Sequence, residues 1–177
     1  GCKLAYTQSD EISLLLVDYQ SLDTEAWFDN NLSKIISISA SMATLAFNKS
    51  FKEIVEISDV ENKDIYRKKY DQALFDARAF VLPIEEVNNY FLWRQQDASK
   101  NSINMVGQSE FAFAELQKLN TNQVQEKLWQ ERGINWNNFS VPNKRGTCII
   151  KEEYLKGETI RHRWAADENI PIFSANP

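Results

Sequence analysis

The sequence predicts an α/β chain of the α+β kind, an antiparallel sheet packed with long helices and followed by a helical and β-hairpin extension. Three observations carry this. Two apolar, β-prone runs, Lys3 to Thr7 and Ile12 to Tyr19, flank the polar tetrad Gln8-Ser9-Asp10-Glu11, the pattern of a hairpin. Two long stretches repeat apolar or polar residues at helical spacing. A second pair of β-prone runs, Gly146 to Glu153 and Thr159 to Ala165, is joined through Lys156-Gly157-Glu158 near the end of the chain.

Taken in order, the second strand of the first hairpin is apolar at nearly every position from Ile12 to Val17, so the expectation is a central strand buried on both faces. Thr24 or Asp23 then caps a helix reaching about Lys49, with Phe28, Leu32, Ile35, Ser39, Met42 and Ala46 as its buried stripe. The charged segment from Phe51 to Asp71 reads as a mobile connection with a helical stretch near Tyr66. Phe75 to Leu82 alternates as a strand and stops at Pro83, with Asp76 and Arg78 on one face. A second long helix runs from Glu85 to Gln108, and Arg94, Asp97, Asn101, Asn104 and Gln108 form a polar row along it. Thr121 caps a further helix that Gly133 ends. The division this suggests is residues 1–110 as a partial catalytic unit and 111–177 as its extension.

Composition sets limits. The 177 residues are 43% hydrophobic and 12% aromatic, enough for a real core and too apolar for a disordered chain. No apolar run approaches the roughly 20 residues of a membrane span. The two cysteines, Cys2 and Cys148, lie far apart and suit reduced thiols in a cytoplasmic protein. The sequence opens at Gly1 without an initiator Met, so the expectation is a natural N-terminus further upstream. A net charge of −5 is unlike that of a typical nucleic-acid binder. The basic clusters Arg67-Lys68-Lys69, Lys144-Arg145 and Arg161-His162-Arg163 nonetheless offer local patches, each also readable as solvated surface. His162, the one histidine, shares a strand face with Ile160 and Trp164 and reads as packed or surface.

The chemistry centres on the acidic tetrad. Adjacent carboxylates on a tight connection between two core strands contribute little to folding but suit Mg²⁺, which takes carboxylate oxygens and keeps positions open for phosphates. Neighbouring residues in extended chain point to opposite faces, so Asp10 and Glu11 need not share one role. The plainer alternative is a turn that merely favours acidic residues. Strand, acidic turn, strand, helix, strand is most of a ferredoxin-type βαββαβ unit, the architecture of palm-like polymerase domains. Such domains hold two metal ions with carboxylates from two neighbouring strands.

At this point the residues resemble the tRNA-His guanylyltransferase family. Tyr6-Thr7-Gln8-Ser9-Asp10-Glu11-Ile12-Ser13 is similar to its second metal-binding motif, and Ser33-Lys34 to the Ser-Lys of its first long helix. Phe75-Asp76-Ala77-Arg78, Trp93-Arg94-Gln95 with Asp97, Gly133-Ile134-Asn135-Trp136-Asn137 and Arg145-Gly146-Thr147 follow in the family's order. The resemblance implies Asp10 as a metal ligand and Glu11 as a second essential acid at the metal site, with two Mg²⁺ ions. It implies Ser9 and Lys34 on nucleotide phosphates; for Lys34 a solvated helix lysine is the alternative. Asp76 and Arg78 would be a support pair, and Arg94 with Asp97 an ion pair one turn apart. Ser99-Lys100-Asn101-Ser102 stands where eukaryotic members carry His-x-Asn-Asn, as in bacterial and phage-type members, so strict tRNA-His specificity is not expected. Asn101, Lys144 and Arg145 are the expected RNA contacts. The implied activity is nucleotide addition to a tRNA 5′ end in the 3′-to-5′ direction using ATP and GTP, by a tetramer that is not membrane-bound. The alternative is a catalytically incomplete RNA-binding or assembly fragment, because the family's first metal motif, an Asp-Gly-Arg stretch, is expected upstream of Gly1.

Overall fold

The computed structural model describes residues 1–175. The chain folds as two compact units, one of Asp18–Val81 with Gly1, the other of Cys2–Val17 with the chain from Leu82 onward. The expected division at residue 110 falls inside the second unit.

The first unit is built on a long helix, α1 (Leu32–Ile57). It starts later than expected. Asn31 is the cap, its side chain accepting from the Lys34 backbone N–H at 3.1 Å. Upstream, Phe28, Asp29 and Asn30 hold positive φ within a short 3-10 turn, which stops the helix from extending back to Thr24. The covered stripe is also displaced from the expected one: Leu32 and Met42 are exposed, while Asn48 and Val55 are buried. The connection expected to be mobile is partly the end of α1 and partly a short helix, α2 (Lys63–Arg67). Arg67 grips Glu56 through two bonds of 3.0 and 2.7 Å, and the Tyr70 hydroxyl adds a third.

Residues 75–82 are not a strand. Alternation makes a strand only when another strand offers its ladder, and here α1 takes that role through side chains. Asn48, buried, donates to the Ala73 carbonyl at 2.9 Å and accepts from the Ala73 N–H at 3.2 Å. The Thr44 hydroxyl accepts from the Phe75 N–H at 3.0 Å. Beyond this clamp, Asp76 and Arg78 pair at 3.5 Å in near-full exposure, a contact of little energetic weight.

The second unit carries a four-stranded antiparallel sheet in the order β2-β1-β3-β4, with β1 (Cys2–Gln8), β2 (Glu11–Leu16), β3 (Thr147–Lys156) and β4 (Thr159–Asp167). The central strand is thus β1, not β2. β2 lies at the edge, and Ile12, Leu14 and Leu16 on its outer face are exposed, contrary to the reading of a strand buried on both sides. Its inner face packs on α3 (Val87–Glu110), where Tyr6, Phe91, Cys148 and Ile170 form one core cluster. β1 meets β3 only over Ala5↔Ile149, Tyr6↔Cys148 and Thr7↔Thr147, so the β3–β4 ribbon runs on past the sheet. His162 is exposed on that ribbon opposite Glu153, as the sequence suggested.

A second cluster, Ile103, Phe111, Val124 and Leu128, joins α3 to α5 (Thr121–Arg132), with the short α4 (Phe113–Leu116) between them. Asn120, one residue before the expected Thr121, caps α5, and Gly133 ends it at φ 68°. A last short helix, α6 (Val141–Arg145), leads into β3. No helix among the described residues is long and apolar enough to cross a membrane.

Candidate functional site

The acidic tetrad forms the turn that joins β1 to β2. Gln8 and Glu11 are the last paired residues of the β1–β2 ladder, leaving Ser9 and Asp10 alone at the tip. Ser9 takes φ 50°, the left-handed conformation a two-residue hairpin turn demands. The Thr7 hydroxyl donates to the Glu11 carbonyl at 3.2 Å, and Ser9 Oγ lies 3.9 Å from Met105 Sδ on α3. Asp10 is exposed at the apex.

Glu11 behaves differently from its neighbour. Its Oε2 accepts from Gln8 Nε2 at 2.7 Å and forms an ion pair with Arg94 Nη2. Gln8 and Arg94 are both buried, and the Arg94 guanidinium also lies 4.7 Å from the Trp93 ring centroid. A guanidinium withdrawn from water needs an acid, and Glu11 supplies it. Arg94 is therefore paired across to the sheet, not to Asp97; the Asp97 carboxylate accepts from Asn101 Nδ2 at 3.2 Å along the same helix.

The neighbouring motif residues build the support. Gln95, buried, uses its amide as a piece of backbone, donating to the Pro171 carbonyl at 2.9 Å and accepting from the Phe173 N–H at 2.8 Å. The Tyr6 hydroxyl donates to the Arg145 carbonyl at 2.5 Å; burial foremost pushes this phenol up, the Cys148 thiol adds to the rise, and Arg94 opposes it. Arg145 donates from Nε to the Ile170 carbonyl at 3.1 Å. Lys144 donates to the Asn137 carbonyl at 2.7 Å and lies 5.9 Å from the Trp136 ring centroid. Lys144 and Arg145 nevertheless line a cavity of about 330 Å³ together with Gln96, Lys100, Trp136 and Asn137, in which every charged group is basic. Asn101 lies outside that lining, and Lys34 stands exposed in the first turn of α1 in the first unit.

Whether these residues fit a metal can be judged from the donors. Among the described residues no group of three His, Cys, Asp or Glu side chains lies close enough to hold an ion. Asp10 offers a carboxylate at the turn tip, while one oxygen of Glu11 is committed to Arg94 and Gln8. The chain's described residues thus fit one corner of a divalent-cation site, not a complete two-ion site.

Comparison with known proteins supplies the context for this geometry. The family model described as Thg1: tRNAHis guanylyltransferase matches residues 1–83. A bacterial tRNA(His) guanylyltransferase (Thg1)-like protein solved in complex with ATP is 49% identical with a TM-score of 0.80, covering 99% of this chain and 68% of that one. The chain belongs to the Thg1-like family. A bacterial Thg1-like protein in complex with GTP is 46% identical with a TM-score of 0.74, over 99% of this chain and 66% of that one. The tRNA(His) guanylyltransferase of Debaryomyces hansenii is 32% identical over 84% of this chain and 56% of its own length. The chain spans between about a quarter and three-fifths of the length of the curated relatives it matches, 27% for tRNA(His) guanylyltransferase 1 of Arabidopsis thaliana and 59% for an uncharacterized protein of Acanthamoeba polyphaga mimivirus. Membership also accounts for the paired hairpin and long helices, since the α+β architecture expected from the sequence is that of these neighbours.

The residues that sequence reasoning missed are Gln8, Gln95 and the true partner of Arg94. The Trp-Arg-Gln segment is visible as a motif; what it does is not, because the polar partners of Arg94 and Gln95 lie far along the chain. Glu11 and Arg94 are joined only by the fold.

Proposed function

We propose that the protein containing this chain is a nucleotidyltransferase that adds nucleotides to a tRNA 5′ end in the 3′-to-5′ direction, with ATP and GTP as substrates. The observation that carries the reading is the presentation of Ser9 and Asp10 at an exposed hairpin tip in a chain so similar to Thg1-like proteins bound to ATP and GTP. Asp10 is this chain's contribution to a Mg²⁺ site; when bound, such ions neutralise developing phosphate charge and favour in-line attack.

The chain's own residues bind and orient. Ser9, with its hydroxyl at the tip, donates to a phosphate oxygen of the incoming nucleotide. Lys34 carries a mobile ammonium that meets triphosphate as a point charge. Asn101, Lys144 and Arg145 contact the tRNA, Lys144 and Arg145 from the basic cavity beside Trp136. Bond making follows from alignment: the tRNA 5′ phosphate displaces pyrophosphate from ATP, and a nucleotide 3′-hydroxyl held in line with the activated phosphate then displaces AMP as it gives up its proton, without covalent help from the protein. Assembly as a homotetramer in the cytoplasm accompanies this reading.

The test is incubation with a tRNA lacking its 5′ nucleotide, ATP, GTP and Mg²⁺, followed by sizing of the RNA. Extension by the parent and its loss in Asp10→Asn supports the reading. Extension that survives Asp10→Asn refutes the role of Asp10, and RNA binding without any extension points to a non-catalytic RNA-binding piece.

A further inference from the structure

We infer that Glu11 serves as the counter-ion of buried Arg94 instead of as a metal ligand, and that Arg94, Glu11 and Gln8 form a lock that positions the Ser9-Asp10 turn. The inference rests on the proposed role of Asp10 and refines it: one acid of the pair presents itself to the ligand, the other holds the pair in place.

Three observations converge. Arg94 has a side chain only 9% exposed, and Glu11 is the acid paired with it. A buried guanidinium left without its acid is far less tolerable than a half-exposed carboxylate left without its base, so the fold constrains Glu11 toward Arg94. The same Glu11 oxygen also accepts from Gln8, a buried amide at the last rung of β1. The side chains that flank the turn on both strands are therefore tied together and to α3. Ser9 sits in the left-handed region between them, a conformation costly for serine unless its flanks are held. Registration supplies the rest: Gln8 and Glu11 pair directly across the ladder and point to the α3 side, so Asp10 is left at the apex to project elsewhere.

This makes Arg94 a positioning residue that acts through Glu11. It also explains why adjacent acids occur in one tetrad. With Oε2 of Glu11 committed to Arg94 and Gln8, a site drawing a full second carboxylate from this turn would compete with the acid that Arg94 needs.

The experiment compares Glu11→Leu, Arg94→Met, the double variant Glu11→Leu/Arg94→Met, and Asp10→Asn. Two readouts are used, the melting temperature and the affinity for Mn²⁺ followed by electron paramagnetic resonance. Glu11→Leu lowers the melting temperature by about 6–20 °C by stranding a buried charge, and Arg94→Met lowers it by less, since the carboxylate it leaves is half exposed. The double variant replaces both charges with apolar groups and recovers to within about 5 °C of the parent. It also keeps Mn²⁺ affinity within about threefold, whereas Asp10→Asn weakens it at least about tenfold, the loss of one full ligand. Additive melting losses, or loss of Mn²⁺ in the double variant equal to that in Asp10→Asn, overturns the lock. Unchanged Mn²⁺ binding in Asp10→Asn overturns the role of Asp10 instead, while non-additive melting still upholds the Arg94–Glu11 pairing.

Discussion

Replacing Gly146 with alanine tests how the Arg145-Gly146-Thr147 segment joins the helical part of the second unit to its sheet. Gly146 adopts φ 84° and ψ −170°, a region open essentially to glycine alone. A β-carbon placed there would meet the Thr7 carbonyl oxygen at 2.5 Å and the Tyr6 ring and hydroxyl at 2.9 Å. Neither neighbour can retreat cheaply. Thr7 pairs with Thr147 in the β1–β3 ladder, and the Tyr6 hydroxyl is bonded to the Arg145 carbonyl. Backbone strain of ~1–3 kcal/mol, overpacking of similar size and a lost hydrogen bond of ~1 kcal/mol together give about 5 kcal/mol. For a chain of this length that is a fall in melting temperature of about 10–20 °C. Gly133→Ala is the internal control, because Gly133 shares a positive φ but has nothing within 4 Å of its added carbon. It should cost ~1 kcal/mol, or about 2–4 °C. Thermal unfolding followed by circular dichroism measures both. Equal shifts in the two variants would refute the close-approach argument and leave only backbone conformation.

Two further outcomes follow from the same contacts. Asn48→Leu strips the Ala73 N–H and C=O of their partners on α1, so it should destabilise the first unit by ~2–4 kcal/mol, and faster amide exchange at Ala73 and Phe75 reads this directly. Cys148 has its thiol pushed up to about 11, chiefly by burial and then by Asp167. The folded thiol thus ionises above an ordinary one near 9, so stability is unaffected at neutral pH and declines as pH rises from about 9 toward 11. At pH 8 a thiol-specific reagent should label half-exposed Cys2 quickly and Cys148 only as the protein unfolds, with mass spectrometry separating the two sites.

What the sequence makes legible is what lies close together in it. The β1–β2 hairpin, its two-residue tip and the terminal hairpin are each encoded within a few residues, and so are the Gly133 stop and the polar row that includes Arg94. Misreadings arise where a residue's surroundings come from elsewhere. The apolar run Ile12–Val17 argues for a strand but cannot say which strands flank it, and β2 is an edge. Phe75–Leu82 alternates like a strand, yet its neighbours are side chains of α1. The start of α1 depends on positive φ at Phe28, Asp29 and Asn30; Asp and Asn favour that region singly, but no propensity rule places three such residues in a row with a Phe among them. At the candidate site, the placing of Ser9 and Asp10 at a turn tip is legible because the motif is contiguous. The division of labour between Asp10 and Glu11 is not, since Arg94 enters only through tertiary folding.

The joining of β1 to β3 also has a consequence in time. The Tyr6 hydroxyl bonds a carbonyl 139 residues further along, and β1 gains its partner β3 only after that stretch has been made. At ~5–20 residues per second, the first hairpin waits roughly 7–30 seconds with one strand edge unmatched. During that interval Ile12, Leu14 and Leu16 are presented beside an open ladder, a combination prone to pairing with a neighbouring nascent chain. The two-residue tip sets the hairpin's register at once and the Glu11–Arg94 pair joins it when α3 has been made, so the site's geometry is completed before its sheet is closed.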